Sequence, residues 1–139
     1  MSILPSLCSI LCAVGLLSLC VFSGCGGPAL QTAKGQIQVG GKNYQVGARE
    51  QLLVIFYPDG PNPNSTFPAE VKSDGSFQTL GMDGKGIPPG KYRVSISSPY
   101  GGGSVQIPKE IGTPQSPIVR EIVQGKDTLE PIDIMKPAG

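Results

Sequence analysis

After residue 33 the chain consists of short apolar segments separated by turns rich in glycine and proline. The segment Lys91–Ser97 alternates strictly between apolar and polar positions, and this two-residue period predicts a β-strand with one buried face. The inward side chains are expected to be Tyr92, Val94 and Ile96, and the outward ones Lys91, Arg93 and Ser95.

Further strands follow from the same pattern. Phe67–Lys72 also alternates, and the turn Ser73–Ser76 predicts a hairpin to a return strand at Phe77–Leu80, because Asp-Gly supplies the positive φ that tight turns need. The continuous apolar run Gln51–Tyr57 predicts a central strand buried on both faces. The other predicted pieces are Gly35–Val39, a turn at 40–43, Tyr44–Val46, and a closing hairpin of Ile118–Val123 with Leu129–Met135.

No window from residue 34 to residue 137 shows a sustained apolar period of 3.6 residues, so no helix is predicted there. About seven short strands with regular turns are typical of an antiparallel, seven-stranded β-sandwich of the immunoglobulin or prealbumin kind. We therefore predict an all-β sandwich domain over residues 34–137. Residues 25–33 have no pattern and are interpreted as a tether.

The first 24 residues differ sharply from the rest of the chain. Sixteen of them are apolar and none is charged, whereas all 21 charged side chains follow residue 24. Such a block predicts an apolar N-terminal helix that acts either as a cleaved signal peptide or as an uncleaved membrane anchor. Both alternatives place the domain outside the cytoplasm.

The end of this block points to cleavage. Phe22, Ser23 and Gly24 precede Cys25, and Gly26 follows it. This arrangement resembles a bacterial lipobox, in which a signal peptidase cuts before a cysteine that carries lipid. The resemblance implies a lipidated Cys25, with Phe22, Ser23 and Gly24 as peptidase recognition residues. Gly26, in place of Asp, favours the outer over the inner membrane.

Composition excludes several classes of function. The chain has no histidine, which removes imidazole-based catalysis and metal sites, and its net charge of +1 gives no field to attract nucleic acid. Three of the four cysteines lie within the apolar block, so a mature chain would retain Cys25 alone and could form no internal disulfide. We expect no catalytic residues, no cofactor and no metal.

Several short motifs carry weak hints of chemistry. Asp74-Gly75-Ser76 and Asp83-Gly84-Lys85 lack the alternating ligands of a calcium loop and are interpreted as turns. Gly101-Gly102-Gly103-Ser104 precedes no predicted helix, so a flexible loop is favoured over a phosphate site. Lys34 or Lys42 with Asp133 is the pair to inspect for an isopeptide bond. Tyr57 and Tyr100 are candidate binding aromatics, although packing is the simpler interpretation.

The ordered set of strands resembles a known family. The segments KGQIQVGGKNY, VIFYPDG, AEVKSDGSFQ, GIPPGKYRVSIS and SPIVREIVQGKDTLEPIDI follow one another as in small bacterial lipoproteins with a carboxypeptidase-regulatory-like, transthyretin-like β-sandwich. The resemblance covers nearly the whole chain. It implies a fold and a location, but no functional residues.

Together these observations predict a non-enzymatic, lipid-anchored protein of the cell envelope. Its β-sandwich would be a structural or interaction module whose partner is another envelope protein or polymer. The alternative is a small-ligand-binding lipoprotein that uses the loops 58–66 and 98–116 at the ends of the sandwich.

Overall fold

Eight β-strands and one 3-10 helix form the part of the chain that the computed structural model describes, residues 26–60 and 65–137. The strands are β1 (Lys34–Val39), β2 (Lys42–Asn43), β3 (Leu53–Pro58), β4 (Phe67–Val71), β5 (Ser76–Thr79), β6 (Gly90–Ser97), β7 (Val119–Ile122) and β8 (Ile132–Asp133). The 3-10 helix is Lys109–Gly112. The prediction of an all-β domain is confirmed. The predicted N-terminal helix lies outside the described residues.

The strands form one curled sheet in the order β2-β1-β5-β4-β3-β6-β7, in which every neighbouring pair is antiparallel. Strand β8 lies outside this order and also pairs with β1, in the parallel direction. The longest pairing, β3 with β6, lies near the middle and sets Phe56 opposite Val94. The sheet therefore has its strongest hydrogen-bonded ladder where the sequence predicts its clearest strand.

The hairpin of β4 and β5 confirms the turn predicted at Asp74-Gly75. Lys72 N–H donates to the Ser76 carbonyl at 2.8 Å, and Gly75 has a φ of 76°. The Asp74 carboxylate accepts from both the Ser76 amide and the Ser76 hydroxyl, at 3.0 and 2.6 Å. The alternation predicted for β4 is also present, since Phe67, Ala69 and Val71 are the more buried side chains and Pro68 and Glu70 are exposed.

The outer face of β6 departs from the two-residue period. Tyr92, Val94 and Ile96 are buried as predicted, but Ser95 is only 2% exposed instead of facing water. The 3-10 helix packs against β6 and brings the fully buried Ile111 with it. Burial of Ser95 therefore depends on tertiary packing, which the alternation along β6 does not encode.

Strand β3 is central but not buried on both faces. Val54 and Phe56 are completely buried, whereas Ile55, which lies between them and faces the other side of the sheet, is half-buried. The prediction of burial on both faces is wrong, because the sheet is covered fully on its inner side only.

The predicted closing hairpin is also wrong. Strand β7 pairs with β6 at one edge of the sheet, whereas β8 pairs with β1 toward the other edge. Only residues 123–131 connect β7 to β8, so the sheet must curl until these edges are close. The guanidinium of Arg120 on β7 joins them by donating to the Glu130 and Pro131 carbonyls at 3.3 and 2.9 Å.

The turn of the first hairpin is shorter than the predicted turn at 40–43. Val39 pairs with Lys42, so the turn is Gly40-Gly41, and Lys42–Asn43 forms β2. Asp133 on β8 holds this turn, because its two carboxylate oxygens accept from the Gly40 and Gly41 amides at 3.0 and 2.8 Å.

The folded part begins a few residues before Lys34. Gln31 forms an antiparallel bridge with Ile87, and Ala33 is fully buried. The Ala33 amide donates to the hydroxyl of Thr79 at 2.8 Å. Residues 26–30 are exposed and have no secondary structure, so the segment that leads into the domain ends at residue 30.

A single apolar core fills the inside of the curl. Phe56 lies near its middle, with ring centroids 6.0 Å from those of both Phe77 and Tyr92. Tyr92 in turn contacts Phe67 at 6.1 Å, and its hydroxyl donates to the Pro88 carbonyl at 2.6 Å. The core also draws on late segments of the chain, through the fully buried Ile111, Ile118, Ile132 and Ile134.

Candidate functional site

Cys25 and the residues that precede it, Phe22, Ser23 and Gly24, lie outside the described residues, as does the rest of the apolar block. The lipidation site therefore stays a prediction from sequence. None of the helical structure in residues 26–60 and 65–137 has the length and hydrophobicity needed to span a bilayer.

Depressions in the surface of the described residues adjoin both loops that the sequence suggests for ligand binding. Strand β3 ends at Pro58, which pairs with Tyr92, whereas the loop 98–116 leaves β6 beside Leu53, at the other end of these strands. The two loops therefore begin at opposite ends of the sheet. Residues 114–116 of the second loop return to the end where Asp59 lies, since Pro114 and Gln115 line the depression there and the Ser116 carbonyl accepts from Arg93. The depression at that end therefore lies between the first loop and the end of the second, whereas the glycine-rich part of the second loop lines a separate depression.

The first depression, of about 590 Å³, has an arginine in its wall. Tyr57 and Arg93 are direct partners across β3 and β6, and Arg93 Nε lies 3.3 Å from the carboxylate of Asp59. A second nitrogen of the guanidinium donates to the Ser116 carbonyl at 3.4 Å. Arginine has five N–H donors, so this one retains capacity to bind an anion or a carboxylate.

The second depression, of about 410 Å³, is lined mainly by apolar and glycine residues. Its walls include Ile96 on β6 and Val105 and Ile107 in the long loop, together with the backbone of Gly101–Gly103. It offers apolar contact with few polar groups for orienting a ligand, and it is open to solvent.

The glycine run has a packing role that the sequence does not reveal. A methyl group at position 103 would lie 2.3 Å from a carboxylate oxygen of Glu50 and 2.9 Å from the hydroxyl of Tyr44. Glycine at position 103 therefore lets the loop approach this pair closely. Close packing over Tyr44 and Glu50 is the function that the structure supports for Gly103, in place of a merely flexible loop.

Tyr44 and Glu50 form a hydrogen-bonded pair in which the pKa of Tyr44 is strongly raised, and the sequence did not predict this pair. The phenol donates to Glu50 at 2.5 Å, and the other carboxylate oxygen accepts from the Gly47 amide at 3.0 Å. Burial, followed by the hydrogen bond and the negative charge of Glu50, raises the pKa of Tyr44 far above its usual value of 10.0. No sequence pattern signals this pair, because it depends on the fold of the turn 47–50.

The aspartates considered as metal ligands are occupied in turns. The Asp74 carboxylate binds Ser76, and that of Asp83 accepts from the Lys85 amide at 3.2 Å and pairs with its ammonium at 3.3 Å. These hydrogen bonds lower the pKa of both aspartates. Residues 26–60 and 65–137 contain no group of three or more acidic, cysteine or histidine side chains placed to hold a metal ion.

The hydrogen-bond partners of Asp133 differ from those that the isopeptide hypothesis requires. The Asp133 carboxylate accepts from the amides of Gly40, Gly41 and Met135, and these bonds lower its pKa. In the described part of the chain, the ion pairs are Lys85 with Asp83 and Arg93 with Asp59, so neither Lys34 nor Lys42 is paired with Asp133. The contacts of Asp133 are those of a turn cap.

The two candidate aromatics are placed differently. Tyr57 is half-buried beside Arg93, whereas Tyr100 is 79% exposed at the turn after β6. The structure thus brings Tyr57, Asp59 and Arg93 together and leaves Tyr100 apart from them.

Comparison with known proteins gives no relative. A scan against protein-family models found no match, and neither did searches of curated proteins and of solved structures. The resemblance to transthyretin-like lipoproteins therefore remains a prediction.

Proposed function

We propose that this protein is an exported lipoprotein whose domain is attached to a membrane of the cell envelope through Cys25. The observation that carries the proposal is the uncharged apolar block of residues 1–24, which is followed directly by Cys25. This cysteine lies only six residues before Gln31, the first hydrogen-bonded residue of the described part of the chain. The Cys25 thiol would carry a diacylglyceryl group as a thioether, and cleavage would follow Gly24. The outer membrane is the favoured location.

We infer that the curled sheet is a transthyretin-like β-sandwich. The pairing of β1 supports this, because its first half pairs with β5 while its second half pairs with β2 and β8. A strand that divides its pairing in this way can pass from one packed sheet to another.

The proposed role is structural or interactive, without catalysis. The acidic groups with the strongest contacts serve the fold: Glu50 binds Tyr44, and Asp133 caps the Gly40-Gly41 turn. A general base needs a free lone pair near a substrate proton, whereas these carboxylates already accept hydrogen bonds from the Tyr44 hydroxyl and from backbone amides. The expected partner is another envelope protein or polymer.

Fatty-acid labelling of cells that express the full chain tests the anchor. Wild-type protein should take up label and lose residues 1–24, whereas Cys25→Ala should remain unlabelled and at precursor mass. Cys20→Ala is the matched control, since it removes a cysteine from the apolar block and should leave labelling intact. A wild-type chain that stays at precursor mass without lipid would overturn the proposal.

A second candidate function is binding of a small ligand in the depression beside Arg93. The side chain of Arg93 is 40% exposed there, next to Tyr57 and Gln115, so a carboxylate could bind its free N–H groups. Titration with acetate, followed by NMR shifts of the Tyr57 and Gln115 amides, tests this. Shifts that persist in Arg93→Met would exclude it.

A further inference from the structure

Three apolar side chains are exposed at the end of the domain where the chain enters it. Leu30 is 44% exposed, Val123 46% and Met82 94%. We call these three residues the entry patch. Large exposed apolar side chains are unremarkable when isolated, but a group of them at one end of a small domain suggests contact with another surface.

Gln31 brings the three together. Its backbone forms two hydrogen bonds with Ile87, both of 3.0 Å. Its side chain binds the turn after β7, where it donates to the Val123 and Lys126 carbonyls and accepts from the Gly125 amide at 2.7 Å. Leu30 precedes Gln31 directly, so it lies beside the turn that carries Val123.

Met82 belongs to the loop that contacts the same residue. The loop 81–86 closes on itself, because Gly86 N–H donates to the Leu80 carbonyl at 2.7 Å and a methyl group on Gly81 would lie 2.0 Å from the Gly86 carbonyl oxygen. A methyl group on Gly86 would in turn lie 2.2 Å from the carbonyl carbon of Gln31. The loop that presents Met82 is thus packed against the point of entry.

The connection to the lipid is short. Six Cα–Cα steps lead from Cys25 through residues 26–30 to Gln31, and fully extended they span only about 21 Å. A domain of about 100 residues has a radius of gyration of about 13 Å, so its diameter exceeds the length of the tether. A membrane-attached Cys25 therefore holds the entry patch close to the lipid and keeps the opposite end away.

We propose that the entry patch docks on the lipid surface to which Cys25 is attached, so that the domain stands on the membrane in one orientation. This inference rests on the proposed lipid anchor. Exposed charges beside the patch are nearly balanced, with Lys34, Lys85 and Lys126 against Asp83 and Asp127. Attraction to anionic headgroups is consequently weak, and apolar insertion at the headgroup boundary is the dominant contact.

The chain offers a matched pair of positions for testing this. Met135 is also exposed, at 59%, but it follows β8 beside the second half of β1 and the Gly40-Gly41 turn, whereas Gln31 lies before the first half. Met82→Cys and Met135→Cys each introduce one free thiol into mature protein, where Cys25 is blocked by its thioether. Each variant is purified as the lipidated protein, labelled with an environment-sensitive dye, and reconstituted in phosphatidylcholine vesicles.

Brominated lipid should quench the dye at position 82 by at least about twofold and leave the dye at position 135 nearly unchanged, because only the first enters the headgroup boundary. Adding Leu30→Ser and Val123→Ser to the Met82→Cys variant should abolish the quenching. Raising the salt to 1 M should not, since screening acts on charges alone.

Mass spectrometry of Cys25 in the same samples separates the two proposals. A lipidated Cys25 with no quenching at position 82, or with equal quenching at both positions, overturns the docking and leaves the anchor standing. A Cys25 without lipid overturns both. If the dye at position 82 stays exposed on vesicles, and the unlabelled thiol of Met82→Cys is joined to a protein in native envelopes by a bifunctional maleimide, the patch is assigned to a protein partner and the docking is overturned.

Discussion

Gly35 lies directly opposite Phe77 in the antiparallel pair of β1 and β5, and the phenyl ring occupies the space where a side chain at position 35 would stand. A methyl group there would lie 2.3 Å from Cζ of Phe77. Phe77 is itself almost fully buried and contacts Phe56 in the core. An aromatic ring that covers a glycine on the neighbouring strand fixes the register of the two strands.

Gly35→Ala should therefore destabilise the domain by about 1–3 kcal/mol, because the ring must move within a packed core. Denaturant midpoints measure the loss. Gly60→Ala is the control, since a methyl group at position 60 would meet no atom of the described residues within 4 Å. This substitution should change stability by less than about 0.5 kcal/mol. Phe77→Leu in the Gly35→Ala background should recover part of the loss. Equal midpoints for the two alanine variants would contradict this register.

The sequence pattern and the structure make different predictions for substitutions of Ser95. Alternation alone predicts that aspartate is tolerated at positions 91 and 95, because both lie on the outer face of β6. The structure predicts tolerance at exposed Lys91 only, since Ser95 is buried. Ser95→Asp should cost more than about 2 kcal/mol through burial of an unpaired carboxylate. Lys91→Asp should cost less than about 1 kcal/mol, mainly because it sets a like charge opposite Glu121 at the exposed edge. Urea denaturation followed by circular dichroism compares them, and similar midpoints would show that Ser95 is not buried.

Arg120 closes the gap between β7 and the segment before β8. Arg120→Met keeps much of the apolar stem but removes the bonds to Glu130 and Pro131, so we expect a loss of about 1–2 kcal/mol. Arg120→Lys should recover little, because an ammonium lacks the planar fork.

Hydrogen exchange localises the effect of Arg120. The Ile134 amide, which donates to the Gln38 carbonyl at 3.0 Å, should exchange faster in Arg120→Met, because β8 loses its connection to β7. Arg49→Ala, at an exposed arginine elsewhere, should leave that amide unchanged. Unchanged exchange in Arg120→Met would mean that the guanidinium does not hold the two edges together.

The Tyr44–Glu50 pair predicts a loss of stability at alkaline pH. The pKa of Tyr44 is raised in the folded state, mainly by burial. The folded chain therefore keeps the Tyr44 proton that the unfolded chain loses above about pH 10. The stabilisation is complete below pH 10 and declines as the pH rises above it. Burial also raises the pKa of Tyr92, which adds to the decline.

Tyr44→Phe should flatten this alkaline decline and lower stability at pH 7, where the hydrogen bond to Glu50 is lost. Melting temperatures from pH 7 to pH 11 measure both effects. Tyr100→Phe is the control, because Tyr100 is exposed at a turn. An alkaline decline of the same slope in Tyr44→Phe and wild type would contradict the role assigned to the pair.

Local patterns predicted the parts of the fold that depend on neighbouring residues. The alternation in 67–72 and at Tyr92, Val94 and Ile96, together with the Asp74-Gly75 turn, identified β4, β5 and β6, since side-chain period and turn conformation are local properties. The absence of a helical period predicted an all-β domain. Of the candidate sites, the sequence named Tyr57 and the loop 58–66, which contains Asp59, but gave no sign that Arg93 would join them.

The amino-acid sequence alone identified most of the extended segments, the Asp74-Gly75 turn and the uncharged apolar block that precedes the domain. Tertiary structure set how strands far apart in the chain pair: β8 runs parallel to β1 instead of returning along β7, Ser95 is buried, and Gln31 joins the fold. Such features depend on surfaces from other parts of the chain, and residue period contains no information about which surface will cover a given face. Curling of the sheet brings those surfaces together, and the Arg120 and Asp133 side chains then hold backbone groups that no local pattern connects to them.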